Sequence, residues 1–495
     1  MKQYQKITQY VRLYDELKQT RAPWVETWKE LSAYIAPTRG QLEAKPSQGR
    51  RINHKVLLDS TASLACEVLS AGMMSGLTSP ARSWFDLSLS PHQLMLLPGA
   101  KEWLTEVKKQ LEETFSKSNL YGALHGFYHE ISVFGTAAML LEEDLEKGIR
   151  ARLFTAGEYV LGSDARGQIN TFGREFSLSA KELARTFGVS TLPVEIRKAA
   201  AKEEQRAYNV IHLIFPNEKW NVSCLDNRHF AFSSVYFLPD GTVLRESGYH
   251  EFPVIVARWE VKNSEGIYGR GPGWKCLGDV KMLQKMQKIK LIALDKNTNP
   301  PMMVSANVQG EVNLLPGGIT RYSGTTDAAV KPAYEVQPDL PALNEAIESV
   351  RSTVKAHFFA DVFTQLSSLP ALQMTAAEVA ARNEEKMLIL GPVLEHLKNE
   401  LLDPLIHRVF CILLRQGVLP PAPPLLAGLP LHVEYISMIA QAQKAAGLNV
   451  LAQGVAYAGL LADKNPSVLE NLDFSGALKE GFEELGLGHL VKTFL

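Results

Sequence analysis

GIYGRGPGWKCLGDVKMLQKMQKIKLIALDKNTNPP, residues 266–301, decides how the rest of the chain is read. Glycines at 269, 271 and 273 permit backbone turns closed to other residues, and Pro272 fixes its own φ and removes a donor. From Trp274 to Asn299 only Gly278 interrupts a helical pattern, and Pro300-Pro301 stops it. Lys281, Lys285 and Lys288 recur at i, i+4 and i+7 and share one face. Met282, Met286 and Ile289 share another, which is expected to pack on a neighbour. The segment is therefore a glycine-broken entry, a lysine-lined helix and a double-proline stop.

Downstream of it, Met302 to Val330 reads as a short β-like piece with turns at Gly310 and Gly317-Gly318. Leu340 to Phe358 returns to helix on the apolar stripe Leu343, Ile347, Val350 and Val354. Two helices flanking a small excursion should pack together and leave the excursion at the far tip. Phe359 to Met374 reads as a loop. Thr375 and Glu378 form a capping box, in which the threonine takes a helix-start amide and the glutamate reaches back. The helix it opens runs towards Gln416 with Pro392 and Pro404 inside. An interior proline costs about 3 kcal/mol, so a bent or broken element is expected. Val418 to Pro430 is a proline-rich linker, and the tail to Leu495 carries helical patches.

Upstream, helices are expected over residues 5–36 with a break at Ala22-Pro23, and then over Ser60–Gly76, Gly99–Ser116 and Tyr121–Val133. Small residues (Ala62, Ala65, Ala71, Gly72, Ser75, Gly76) give the second of these a face that another backbone can approach closely. From Thr136 to Trp259 the period shifts towards two. Strands are expected at Ala137–Leu141, Tyr159–Leu161, Gln168–Phe172, Asn209–Phe215 and Phe230–Phe237, with helices at Lys181–Phe187 and Val194–Ala207. Asp240-Gly241 is the strongest hairpin signal. The fold class is α+β, mainly helical.

Composition bounds the chemistry. The chain has 495 residues, with 52 Lys and Arg against 53 Asp and Glu, so contact with a polyanion must come from local asymmetry. Cys66, Cys224, Cys276 and Cys411 form no CxxC pair, which argues against zinc and a disulfide scaffold and fits a reducing cytoplasm. No signal peptide is expected, and the most apolar run, Leu64 to Leu77, is short of the ~20 residues that a membrane span needs. The glycines at 269–273 fit neither a phosphate-loop nor a dinucleotide fingerprint, and GxSxG and HExxH are missing. His125 and His129 beside Glu130 suggest a metal, but the surrounding aromatics favour an ordinary helix surface. Glu142-Glu143-Asp144 reads as a solvated turn. The expectation is a protein without catalytic residues, metal or cofactor.

Five segments together resemble the head-to-tail connector, or portal, family of short-tailed bacteriophages. They are LLDSTASLACEVLSAGMMSGLTSPARSWFDL (57–87), VFGTAAMLLEED (133–144), YGRGPGWKCLGDVKMLQKMQKIKLIALDKNTNPP (268–301), MTAAEVAARNEEKMLILGPVLEHLKNELLDPLIHRVF (374–410) and YISMIAQAQKAAGL (435–448). They spread over nearly the whole chain in the family's order. The resemblance implies a ring, usually of twelve subunits, at one capsid vertex, through which double-stranded DNA enters and leaves without sequence recognition. It implies partners in the terminase motor, tail and adaptor proteins, and capsid and scaffolding proteins. It places the protein in the virion, and in the host cytoplasm during assembly, with no membrane role.

Carried onto this chain, the resemblance makes 1–265 the wing, 266–298 a first stem helix, 299–338 the clip and 339–358 a second stem helix. Residues 359–374 become a channel loop, 375–417 a long bent wing helix, and 418–495 linker and crown. Gly269, Gly271, Pro272 and Gly273 become the wing-to-stem hinge. Lys281, Lys285, Lys288, Gln365, Ser367 and Ser368 become candidates for the DNA channel, the lysines facing either DNA or a neighbouring subunit. A conduit must guide DNA without gripping it, and each neutralised phosphate strengthens holding. A nearly neutral chain with few positive positions suits sliding. Two other readings stay beside this one: a packaging enzyme acting on nucleic acid, and a structural tail or capsid protein without a DNA channel. The missing nucleotide loop weighs against the first, and the paired helices against the second.

Overall fold

Helix α1 (Lys2–Tyr34) runs without a break through Pro23, where the sequence predicts an interruption. The helix is held on both sides of the proline. Arg21 donates to the carbonyls of Gly157 and Tyr159 at 2.7 and 2.8 Å, while Trp28 and Leu31 are buried in the core. Packing thus outweighs the lost backbone bond. The computed structural model describes residues 2–435 apart from 41, 43–56, 90–96, 98, 203, 205, 222, 225, 263–265, 305–310, 314–329, 333–338, 368–389, 425 and 427–430.

Helices α2 (Thr61–Leu77), α3 (Ala100–Lys117) and α4 (Leu120–Phe134) follow, with strand β1 (Phe85–Leu89) between the first two. Strands β2 (Thr136–Asp144) and β3 (Gly148–Phe154) form a hairpin, and β2 also pairs with β9 (Val254–Arg258) in an antiparallel sheet of order β3-β2-β9. The acidic run at 142–144, read from the sequence as a turn, instead forms the last residues of β2, opposite Arg150, Ile149 and Gly148 of β3. A second antiparallel sheet contains β4 (Tyr159–Ser163), β5 (Ile169–Ser179), β6 (Ala207–Pro216), β7 (Phe232–Phe237) and β8 (Val243–Tyr249) in that order. Asp240-Gly241 makes the β7–β8 turn, with Gly241 at φ 88°. Helices α5 (Ala180–Phe187) and α6 (Val194–Ala201) cover one face of this sheet, and Tyr10, Tyr14 and Leu17 of α1 cover the other. The α6 segment is shorter than its pattern predicts, because Ala207 already opens β6.

Helix α7 (Pro272–Thr298) and helix α8 (Leu340–His357) pack along each other. Between them, β10 (Met302–Val304) pairs antiparallel with β11 (Val330–Pro332), Met302 opposite Pro332. The helix, β module, helix order expected from the sequence is present. Residues 360–367, expected to lie in a loop, instead form helix α9 (Ala360–Ser367). Phe359 enters it at φ 53°, a left-handed conformation that separates it from α8. Phe363 of α9 lies in the notch left by Gly72 on the small-residue face of α2, where a Cβ would come within 2.2 Å of its ring.

The long helix expected from Thr375 is described only from residue 390. Helix α10 (Gly391–Leu397) leads through a π turn (Lys398–Leu402) into α11 (Asp403–Arg415). Both prolines sit in the first turn of their segments, where the missing N–H costs least. The Asp403 N–H bonds to Lys398 O in the wide π pattern, which makes room for Pro404 within a continuous helical path. The chain then returns, and β12 (Leu431–Tyr435) pairs with β1, Phe85 opposite Tyr435. The segment that directly follows the expected linker is therefore a strand on the N-terminal body.

Candidate functional site: the α7–α8 hairpin and its root

The root of α7 is an interlocked crossing with the end of α4. None of Gly269, Gly271 and Gly273 has positive φ, so the expectation of turns barred to other residues is corrected. Their lack of a side chain serves close approach instead. A Cβ would meet Gly135 O at 2.5 Å from position 269, Ile131 O at 2.5 Å from 271, and Val133 O at 2.6 Å from 273. Gly135 itself terminates α4 at φ 80°. Pro272 stands in the first turn of α7. Trp274 Nε1 donates to Phe134 O at 3.0 Å, and its ring meets Trp24 edge-on with centroids 5.2 Å apart. Arg270 lies over both Trp24 and Trp274 at 5.8 Å.

A buried guanidinium secures the approach to this crossing. Arg258, at the end of β9, donates through Nη1 to Gly266 O at 2.5 Å and through Nη2 to Gly167 O at 3.1 Å. Its charge is met by Glu400 on the π turn, with Nε–Oε1 at 3.0 Å and the Arg258 amide on Oε2 at 2.8 Å. The wide turn brings a carboxylate to β9 without interrupting the helix.

One level further out, a polar knot ties both hairpin helices to the start of α2. Gln284 accepts from the amides of Leu58 and Asp59 at 2.6 and 2.9 Å and donates to Asp59 O at 2.7 Å. The Asp59 carboxylate receives Gln287 Nε2 at 2.9 Å, Arg351 Nη2 at 2.7 Å and the Thr61 amide at 2.9 Å. Burial alone would raise its pKa, but these donors outweigh it and hold the group down at about 2. None of these partners is signalled by local sequence, because each lies on a different element.

The lysine face divides. Lys281 Nζ is 2.5 Å from Glu30 of α1 and lies over the Tyr34 ring, so it serves the body rather than an open surface. Lys285 and Lys288 are exposed. The apolar face is also corrected. The residues of α7 buried in the fold are Pro272, Gly273, Cys276, Leu277, Val280, Leu283 and Gln284, whereas Met282 and Ile289 are exposed. Neighbours α1, α4 and α8 meet α7 on the first set, a face displaced around the helix from the one that sequence spacing favours.

Gln365 and Ser367 fall on α9, and Ser368, Thr375 and Glu378 lie outside the described residues. The histidine pair divides, His125 being exposed on the helix surface and His129 half-buried beside it. Glu130 is fully buried and accepts from Arg39, Thr155 and the Ala156 amide at 3.0, 2.9 and 3.2 Å, while burial drives the His129 pKa down to about 3. Among the described residues no group of three or more His, Cys, Asp or Glu is arranged to hold a metal, and no helix is long and apolar enough to cross a membrane.

Comparison with known proteins follows the same lines. The family described as "Bacteriophage head to tail connecting protein" matches residues 8–489. The "Probable portal protein" of Bordetella phage BPP-1 is 38% identical over 464 residues, which is 92% of this chain and 83% of the relative. The "Portal protein" of Salmonella phage epsilon15 is 38% identical over 478 residues, 95% and 85% of the two chains. A chain from the solved virion of a native gene transfer agent particle covers 90% of this chain and 99% of its own length, at 10% identity and a TM-score of 0.41.

Proposed function

The chain belongs to the bacteriophage head-to-tail connecting protein family and is a portal, a component of the phage particle at the head–tail junction; from that premise we propose that its copies close into a ring through which double-stranded DNA passes during packaging and ejection. The α7–α8 pair serves as the stem, with the β10–β11 ladder in the clip at its tip. The observation that carries this reading is the rooting of that pair: glycines packed on α4, Arg258 on Gly266, and Asp59 between both helices.

Residues 269–273 serve as the elbow from wing to stem. Their interlocking supports a fixed angle, which a channel of constant bore needs. The segment containing Gln365 and Ser367 borders the DNA path. Lys281 is withdrawn from the DNA candidates by Glu30, whereas Lys285 and Lys288 stand on the flank of the stem. The clip docks the terminase motor and later the tail and adaptor proteins. Capsid and scaffolding proteins receive the wing, in the host cytoplasm during assembly. No catalytic role or cofactor is assigned. Near-balance of charge supports passage of DNA without sequence recognition or tight holding.

The test is the mass of the purified native chain and its appearance in negative stain. A closed ring, twelve subunits by family resemblance, is expected. A stable monomer at micromolar concentration overturns the reading.

A further inference from the structure

Facing away from the body, α7 carries a second repeat. Positions 278, 282, 285, 289, 292 and 296 alternate in spacings of four and three, the repeat by which one helix meets another along a seam. Met282, Ile289 and Ile292 supply its large apolar members and are 45%, 47% and 43% exposed. These three fall on the opposite side from Cys276, Val280 and Leu283, and among the described residues no element covers them. A helix whose outer face repeats large apolar side chains at seam spacing is built for a partner helix.

Helix α8 carries the complement. Ala342, Ala346, Ser349, Thr353 and Ala356 alternate in the same spacings, all exposed and all small. Ser349, Ser352, Thr353 and Ala356 line a groove of about 710 Å³, walled on its other side by Pro272 and Lys275. One chain thus presents knobs on one stem helix and holes on the other.

We propose that α7 of one copy seats Met282, Ile289 and Ile292 in the small-residue groove of α8 on the next copy, a head-to-tail contact repeated around the ring. This rests on the portal reading and names the partner of its stem. The register follows from the structure. The Asp279–His357 contact, 3.5 Å, fixes the levels of the antiparallel helices. Rotation about a ring axis preserves those levels from copy to copy. Met282 then meets Thr353 and Ala356, and Ile289 meets Ala346 and Ser349. Charge agrees with packing: Lys288 falls level with Glu348, and Lys285 and Glu345 flank the same seam. The knobs and the holes lie on different helices, so α7 of each copy can meet α8 of the next head to tail, the heterologous kind of contact from which a ring is built.

The test is cross-linking of Ile289→Cys with Ser349→Cys by a short bismaleimide, on a chain carrying Cys224→Ser and Cys411→Ser. The double variant is expected to give a ladder of covalent multimers ending at the full ring. Each single variant should stay monomeric on a denaturing gel, and a mixture of the two should stop at dimers. Rings visible in negative stain without such a ladder overturn the seam and leave the portal reading standing. Monomers by native mass overturn both. Cross-linking of Ile289→Cys to itself would make the contact two-fold and overturn the head-to-tail arrangement. As a second arm, Ile289→Asp should keep the thermal unfolding of the chain and raise ring dissociation at least tenfold; unchanged dissociation counts against the seam.

Discussion

Asp59 and Arg351 are 292 positions apart in sequence and joined by two hydrogen bonds, Nη2 and Nε to the same carboxylate oxygen at 2.7 and 3.0 Å. The contact fastens the second stem helix to the start of α2, and Gln284 and Gln287 fasten the first stem helix to the same aspartate. Both helices therefore leave the body from one fixed point. Asp59→Asn removes the charge from a carboxylate with three donors around it and should cost about 2 kcal/mol, the scale of a hydrogen bond to a charged group. Urea unfolding of wild type and variant at neutral pH measures it.

The same residue makes a pH prediction. Its folded pKa of about 2 lies below the ordinary aspartate value of 3.8, so it contributes stability that is fully present above the unfolded value. That contribution is lost as pH falls from about 4 towards 2. Unfolding followed across this window should show a smaller loss in Asp59→Asn than in wild type. Parallel curves would place the acid sensitivity elsewhere.

Glu400, the acidic residue of the π turn, is expected to be highly sensitive to substitution. Arg258 is 7% exposed and donates to two carbonyls besides the carboxylate. Glu400→Ala leaves that cation without its counter-charge and should destabilise by about 3–5 kcal/mol, the penalty for breaking a buried ion pair on one side. Glu400→Gln, which keeps an acceptor, should cost less. Chemical denaturation of the two variants gives the order.

Much of this architecture was legible because its signals are local. Pro272, Pro300 and the apolar stripe of Leu343, Ile347 and Val350 bound α7 and α8 to within a few residues. Asp240-Gly241 marked its hairpin for the same reason. The orientation of α7 was not legible, since Met282 and Ile289 fit a packed face as well as Cys276 and Val280 do. Only the position of α1, α4 and α8 chooses between them. Pro392 and Pro404 read as interior kinks, but a π turn, which leaves no mark in composition, restarts the helix before the second. The Asp59 knot and the β1–β12 pairing join segments from opposite ends of the chain, and neither end announces its partner.

The glycine crossing separates close approach from turn formation. Gly271→Ala places a Cβ 2.5 Å from Ile131 O and 2.9 Å from Ser132 O, both backbone atoms that cannot rotate away. It should destabilise by about 1–3 kcal/mol through overpacking. Gly278→Ala, with nothing within 4 Å among the described residues, should gain up to about 1 kcal/mol of helix propensity. Thermal unfolding of the two variants should move in opposite directions.

Phe363 in the Gly72 notch decides whether α9 is held to the body. Its ring is 8% exposed and fills space that no residue larger than glycine at 72 would leave. Phe363→Ala opens a cavity and should cost about 3 kcal/mol. Gly72→Ala should be similarly harmful for the opposite reason, by expelling the ring. Because the loss falls on one short helix, amide exchange of residues 360–367 should accelerate while the five-stranded sheet keeps its protection. If the segment after Phe359 borders the DNA path, rings of either variant should retain packaged DNA less well. Faster exchange in α9 with unaltered DNA retention would detach this helix from the channel.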